Sequence, residues 1–296
     1  MLSFITWTVD PVAFSIPFLG REVRWYGICF ALGFAIGSWL VWKQWQSEKL
    51  PEPWFEKLFL YVIAMTIVGS RLGHCLFYNI LDFSAISDTG KHFINKESEY
   101  FIYPWKILYI WEGGLASHGG TLGIIIGMWF YCKWVTNKSM LWVLDRLVVP
   151  VGFTAAFIRL GNLMNHEIYG HVTDKPWGFR FTENLAYMRR GMEPIFSAPS
   201  HPTQIYEMFF YVLTSCICMW MYWKRKDYNY AGLIFGVFLI GIFLPRFFIE
   251  FLKNVQESFE VNMTLDMGQW LSIPFIAAGI YLACKGLKAK LAALSK

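Results

Sequence analysis

The chain has 296 residues, of which 56% are apolar and only 16% charged, with 15 Trp, 15 Tyr and 27 Phe. Ordinary soluble domains are about 45–50% apolar and about 25% charged, so a water-soluble fold of this composition would face solvent with large apolar patches, which excludes a soluble enzyme and a disordered chain. The net charge of +5 is spread over separated clusters, which excludes a nucleic-acid binder; the composition is that of an all-α polytopic membrane protein.

Met1–Gly20 is apolar, lacks a basic start and carries Asp10, Pro11 and Pro17. It reads as an interfacial segment rather than a signal peptide. Crossing the hydrocarbon core takes roughly 20 mostly apolar residues. About seven stretches qualify: Trp25–Trp42, Leu58–Asn79, Ser117–Cys132, Leu141–Leu163, His201–Trp223, Ala231–Leu252 and Gly268–Cys284. They form one integral-membrane domain, 1–296, with two long loops, Ile80–Lys106 and Met164–Ser200.

Orientation follows from Lys and Arg near the span ends. The flanks Lys43–Lys57, Lys133–Met140, Lys224–Tyr230 and Lys285–Lys296 hold 12 basic residues in 42, against 10 in 103 on the opposite side. The dense set is expected in the cytoplasm, which puts the C-terminus inside and the N-terminus and both long loops outside. Cys29, Cys75, Cys132, Cys216, Cys218 and Cys284 all fall in spans or at their inner ends. No outer loop carries a cysteine, and the spacings fit neither a metal nor a redox motif. No internal repeat of the transporter kind is present.

Ionisable side chains inside a span are costly and mark function by default. Here they are Arg71, Arg146, Arg159, Glu207, Arg246 and Glu250, with Asp145 beside Arg146. Asp145 and Arg146 lie near an inner end and can snorkel; Arg246 and Glu250 are four apart on one helix face and can pair. Arg71, Arg159 and Arg246, however, all lie toward the outer ends of different spans. Guanidinium groups at one membrane depth suit a phosphate, and a phospholipid headgroup is the phosphate a bilayer offers.

Three motifs accompany these charges. Trp111-Glu-Gly-Gly-Leu-Ala-Ser-His118-Gly-Gly sets one His among four glycines just before a span. Glycine permits close approach and His moves protons near neutral pH, although a packing turn accounts for the pattern equally well. Arg159-Leu-Gly-Asn162-Leu-Met-Asn165-His-Glu167-Ile-Tyr-Gly170 brings a cation, two amides and a carboxylate to a span exit. A purely structural polar ladder is its alternative. His201-Pro-Thr-Gln204-Ile-Tyr206-Glu207 starts a span with Pro in the first turn. His166, His171 and His201 fit no zinc spacing, so no metal is expected.

Tyr26 in Arg-Trp-Tyr-Gly, His118-Gly-Gly, the 159–170 run, the 201–207 run, Arg-Phe-Phe-Ile-Glu at 246–250 and Met-Gly-Gln at 267–269 occur together and in order. In this the chain resembles the bacterial phosphatidylglycerol–prolipoprotein diacylglyceryl transferases, from about Tyr26 to Met267. The resemblance implies a seven-span plasma-membrane enzyme with small arm (80–106) and head (164–200) elements over an outer-leaflet site. It implies transfer of the diacylglyceryl group of phosphatidylglycerol to the lipobox cysteine of a lipoprotein precursor, forming a thioether and releasing glycerol 1-phosphate. Its partners are then the lipid, the precursor's signal peptide and the bilayer. The family usually has Gly before the signature Arg and Phe after Gly-Asn, where this chain has Ile158 and Leu163. Both departures stay apolar and bear on packing. A tyrosine–glycine pair often precedes the last arginine; here the stretch is Ile242-Phe243-Leu-Pro245, so no role passes to such a tyrosine and Pro245 is expected to kink the helix.

Displacement by sulfur needs the thiol, with a free pKa of about 8.5, to lose its proton, and needs the leaving phosphate to be stabilised. His118 is the candidate base, with Tyr26 or water as alternatives. Arg159 and Arg246 are candidates for the phosphate, with Arg71, Asn162, Asn165, Glu167, Gly170, His201, Gln204, Tyr206, Glu207 and Glu250 around the lipid. Tyr26 is placed to donate to phosphate or position the lipid. No cofactor is expected, because the phospholipid is already an activated donor. Another headgroup transferase and a transporter with an arginine-lined cavity are the rival readings.

Overall fold

The computed structural model describes residues 4–76, 98–109, 116–185, 191–254 and 264–295. Its elements in order are β1 (Ile5–Trp7), β2 (Val12–Ile16), β3 (Arg21–Arg24), α1 (Trp25–Ser47), α2 (Glu52–Cys75), a one-turn helix α3 (Glu99–Ile102), α4 (Ser117–Tyr131), α5 (Met140–Met164), β4 (Phe179–Phe181), α6 (Thr203–Trp223), α7 (Leu233–Glu250) and α8 (Met267–Leu294). Among the described residues, α1, α2, α5, α6, α7 and α8 are long and apolar enough to cross a membrane. The remaining expected span is α4, whose 15 residues are continued by a five-residue π turn, Cys132–Thr136. In hydrocarbon every backbone group must be satisfied within the segment, so apolar runs of this length become helices. The protein is a multi-pass, all-α membrane protein.

Several ends differ from the sequence expectation, and α1 continues past Trp42 to Ser47. Helix α2 starts at Glu52, ahead of its apolar stretch, with Pro51 as its N-cap and another Pro in the first turn. Helix α8 runs well past Cys284 to Leu294. Its last turns carry Lys285, Lys288 and Lys290, and Lys290 is ion-paired with the buried Asp227. The apolar run marks the part of a helix that lies in lipid, not where the helix stops.

The chain packs as two compact units, one of residues 1–44 and 144–296, the other of residues 45–143. In the second, α2 and α4 meet through glycines. A Cβ on Gly73 would lie 2.6 Å from Gly119 Cα, and one on Gly123 would lie 3.0 Å from Gly69 Cα. Small residues four apart on both helices let the backbones touch, the usual way to gain packing where lipid supplies no hydrophobic drive. Gly119 and Gly120 of the His118-Gly-Gly stretch thus lie inside α4, against α2.

In the first unit, buried residues of α5, α6 and α7 make the main core, including Val148, Val149, Tyr211, Cys218, Ile234 and Phe238. A Cβ on Gly236 of α7 would lie 2.5 Å from Ala283 N of α8. Pro245 lies within α7, which continues through it to Glu250. The N-terminal segment is mostly strand: β2 and β3 form an antiparallel hairpin joined by a 3-10 turn at Pro17–Leu19, and β1 pairs in parallel with β4 from the 164–200 segment. Trp7 Nε1 donates to Leu163 O at 3.0 Å, which fastens β1 to the end of α5. Leu163, Phe179 and Phe181 form a small second core there.

Candidate functional site

Several polar residues of α5, α6 and the end of α7 form one connected constellation. On α5, Arg159 and Asn162 are three apart and therefore share a face. Arg159 Nη1 donates to Asn162 Oδ1 at 3.1 Å. Asn162 Nδ2 and Asn165 Nδ2 donate in turn to Glu167 Oε1, at 2.9 and 3.2 Å. The chain leaves α5 through two left-handed residues, His166 (φ 59) and Ile168 (φ 60). That conformation is an outlier for a β-branched residue such as Ile168, and α6 holds it in place. Thr203 Oγ1 donates to Ile168 O at 2.9 Å, and Gln204 Nε2 to Glu167 O at 2.6 Å.

Helix α6 then presents Gln204, Glu207 and Tyr211 on one face, all buried. Glu207 is fully enclosed and forms ion pairs with Arg159 and with Lys253, whose Nζ is 2.7 Å from Oε1. Lys253 Nζ also lies 3.1 Å from Glu250 Oε2, and Arg246 Nε is 3.9 Å from the same oxygen. The result is an alternating ladder, Arg159–Glu207–Lys253–Glu250–Arg246, drawn from α5, α6 and the end of α7. Buried ions need partners, and taking one partner from an enclosed carboxylate costs about 3–5 kcal/mol.

The two arginines are held unequally. Arg159 is mostly buried, ion-paired to Glu207 and also hydrogen-bonded to Tyr211. Arg246 has a side chain that is 33% exposed, and its ion pair with Glu250 is long, at 3.9 Å. The Met-Gly-Gln stretch serves this corner. A Cβ on Gly268 would come within 2.7 Å of Glu250 Cδ, so only glycine leaves room for that carboxylate. Gln269 Nε2 donates to Phe247 O at 3.2 Å and completes a capping box with Asp266 at the start of α8.

Gly170 forms a tight joint. A Cβ there would run into Leu252 O and lie 2.9 Å from Thr203 Cγ2. Gly170 N donates to His201 O, and His171 N to Leu252 O, both at 2.8 Å. This joint seats Lys253 against the start of α6. Nearby, Trp177 Nε1 donates to the Tyr206 hydroxyl at 2.9 Å, and that hydroxyl is 3.1 Å from His201 Nδ1. A phenol that accepts from the indole has its own proton for the imidazole. Burial, with repulsion from His171 and Lys175, lowers the His201 pKa below its ordinary value.

Tyr26 belongs to the same unit and packs on the signature stretch: a Cβ on Gly161 would lie 2.8 Å from Tyr26 Cδ2. Arg71 and His118 belong to the other unit. Arg71 is buried and donates from Nε to Ile107 O at 2.9 Å and from Nη2 to Lys106 O at 2.8 Å. Its guanidinium also stands 5.2 Å over the Tyr100 ring. His118 is the second residue of α4; its side chain, and residues 110–115 before it, lie outside the described part. The same holds for 77–97 of the expected arm. No cluster of His, Cys, Asp or Glu able to hold a metal occurs among the described residues.

Lys253 and Tyr211 are the site residues that sequence reasoning missed. Lys253 sits just past a span end, where a lysine reads as a solvated flank; its spacing of three from Glu250 was the signal. Tyr211 is four residues from Glu207 on the same helix face. It supplies a buried phenol beside Arg159 although position 242 is Ile.

A guanidinium pair tied by carboxylates, with buried amides alongside, has the donor chemistry to pair with an anion. The sequence profile described as prolipoprotein diacylglyceryl transferase matches residues 11–285. The chain belongs to that family. It is 51% identical over 292 residues to the phosphatidylglycerol–prolipoprotein diacylglyceryl transferase of Porphyromonas gingivalis, covering 97% of this chain and 96% of the relative. The proteins of the same name from Bacteroides fragilis (40% over 287 residues, 95% of each chain) and Chloroherpeton thalassium (38% over 287 residues, 97% and 96%) are similar along the same length. The family is therefore matched across both compact units and not by one motif.

Proposed function

We propose that the protein transfers the diacylglyceryl group of phosphatidylglycerol to the lipobox cysteine thiol of a prolipoprotein, with Arg159 and Arg246 on the phosphate and His118 as the base. The sulfur–carbon bond forms as the carbon–oxygen bond to phosphate breaks. Glycerol 1-phosphate leaves with that electron pair, and the thiol proton passes to the base. The phospholipid carries its own leaving group, so the step calls for no cofactor.

The observation that carries the phosphate assignment is the unequal grip on the two arginines. Arg159 is fixed by Glu207, Asn162 and Tyr211. Arg246 is a third exposed and 3.9 Å from its carboxylate, so its fork has room to close on a phosphate as charge develops. Asn162, Asn165 and Glu167 form the polar wall next to Arg159, and Gln204 props Glu167 from below through its backbone carbonyl. Tyr26 lies against Gly161 at the same wall and positions the lipid. His201 and Tyr206, linked by their side chains, serve the glycerol headgroup. The site faces the extracytoplasmic leaflet of the bacterial plasma membrane, a placement supported by the basic flanks of the opposite helix ends.

The test is transfer to a lipobox peptide in vesicles containing phosphatidylglycerol. A guanidinium fork makes two parallel bonds that an ammonium cannot reproduce. Arg246→Lys should insert normally and lose at least ~10-fold in transfer, the scale of one charge-assisted hydrogen bond. Arg146→Lys, beneath the Tyr228 ring near the far end of α5, serves as the control and should do little. Full activity in Arg246→Lys would move the phosphate off this arginine.

A further inference from the structure

The ladder does not balance. Among the described residues, Arg159, Lys253 and Arg246 supply three positive charges against the two carboxylates Glu207 and Glu250. Glu167 stands apart: it is exposed and reaches Arg159 only through Asn162, so water screens it. Without Lys253 each arginine would have one carboxylate and the cluster would be neutral. With Lys253, 4% exposed and within 3.1 Å of both carboxylates, one positive charge is left over.

We infer that Lys253 is a positioning residue of the phosphate site, which occupies Glu207 and Glu250 so that the two arginines keep one surplus positive charge for a phosphodiester headgroup. The inference rests on the phosphate assignment made above. A phosphodiester carries a single negative charge and neutralises the ladder. When the carbon–oxygen bond breaks, the charge on the leaving phosphate rises to about −2, so the ladder attracts the departing group more strongly than the bound lipid. The surplus appears at Arg246, the exposed end, because Lys253 draws on the oxygen of Glu250 that also faces Arg246. The backbone holds Lys253 there: residues 252–254 are stitched to 169–171 by His171 N to Leu252 O at 2.8 Å and by Asn254 Nδ2 to Gly170 O at 3.0 Å.

The test measures transfer to a saturating lipobox peptide against phosphatidylglycerol concentration in mixed micelles. Wild type is compared with Lys253→Arg, Lys253→Met and the double variant Lys253→Met/Glu250→Gln. The double variant removes one charge of each sign and so restores the surplus without the lysine. Lys253→Met is expected to raise the apparent KM for phosphatidylglycerol at least ~10-fold, Lys253→Arg to raise it much less, and the double variant, although it also loses the Glu250 contact to Arg246, to lower it at least ~3-fold from the Lys253→Met value, as loss and recovery of one charge would require. The KM for the peptide should move much less, which a general loosening of the fold would not produce. An unchanged lipid KM in Lys253→Met overturns the inference, as does a double variant no better than Lys253→Met. Loss of a monodisperse protein in all three variants would make Lys253 a folding element and overturn it as well. If Arg246→Lys is fully active and glycerol 1-phosphate fails to compete with the lipid in wild type, the phosphate assignment itself falls and the inference with it.

Discussion

Gly161 and Tyr26 touch so closely that α5 and α1 leave no room for a methyl group between them. A Cβ at 161 would lie 2.8 Å from Tyr26 Cδ2 and 3.2 Å from its Cα. The ring edge can turn aside, but the backbone can yield only if α1 shifts. Gly161→Ala is therefore expected to cost about 1–3 kcal/mol of stability by overpacking. It should also cost at least ~10-fold in transfer, because small displacements of positioning groups are amplified at a reacting centre. Tyr26→Phe separates phenol from position: it should spare stability. Gly161→Ala with wild-type transfer would remove Tyr26 from the site.

His118→Ala should lower turnover far more than lipid binding. General-base catalysis is worth roughly 100- to 10,000-fold. The thiol ionises unaided above its free pKa of about 8.5, so the variant should regain rate as pH rises while wild type gains little. Turnover by the purified variant near that of wild type at neutral pH would assign the proton to another acceptor, with Tyr26 the next to be substituted.

The basic flanks predict an N-terminus outside and a C-terminus inside. In a background lacking the native cysteines, an impermeant thiol reagent should label a cysteine placed within 164–200 in intact cells. It should label one within 224–230 only after permeabilisation. The reverse pattern would put the arginine ladder at the cytoplasmic leaflet and exclude the proposed acceptor.

His166 gives the head segment a pH dependence with a definite sign. Its Nδ1 accepts from Thr182 N at 3.1 Å and its Nε2 contacts Val9 O at 2.8 Å. An imidazole that accepts at one nitrogen and donates at the other is neutral. Burial holds its pKa below the ordinary value of 6.5, although Val9 O and Asp10 pull the other way. A folded-state pKa below the unfolded one means that protonation favours opening. The stabilisation is thus complete above the ordinary value and is lost as pH falls through the lower, folded one. Corrected for intrinsic exchange, protection of the Thr182 amide should fall between about pH 7.5 and about pH 5, the range a histidine controls. His166→Asn, which tolerates the left-handed backbone, should abolish that dependence. Protection independent of pH in wild type would contradict the neutral, clamped imidazole.

What the amino-acid sequence determines on its own is mostly what lipid dictates. Apolar runs of span length must become helices, and the structure has a helix at each of the seven places. Arg159 with Asn162, and Arg246 with Glu250, were legible because helix spacing alone puts residues three or four apart side by side. The ends of helices were less legible: α8 continues through lysines that hydropathy reads as a flank. The N-terminal strands were not legible at all, since β1 finds its partner at Phe179–Phe181 only when the end of α5 brings the two segments together.

The meaning of each charge was decided only by tertiary structure. Arg71 and Arg246 look alike in sequence, yet one guanidinium is taken up by the carbonyls of Lys106 and Ile107 while the other is a third exposed beside Glu250. Gly119 reads as the companion of a candidate base and proves to be a seam between α2 and α4. Lys253 reads as a solvated flank and proves to be nearly enclosed between Glu207 and Glu250. The physical reason is common to all three. A side chain's partner across the bundle depends on the rotation and depth at which helices pack, and that is settled by contacts between residues far apart in the chain. Local spacing fixes which residues share a face; only packing fixes what that face meets.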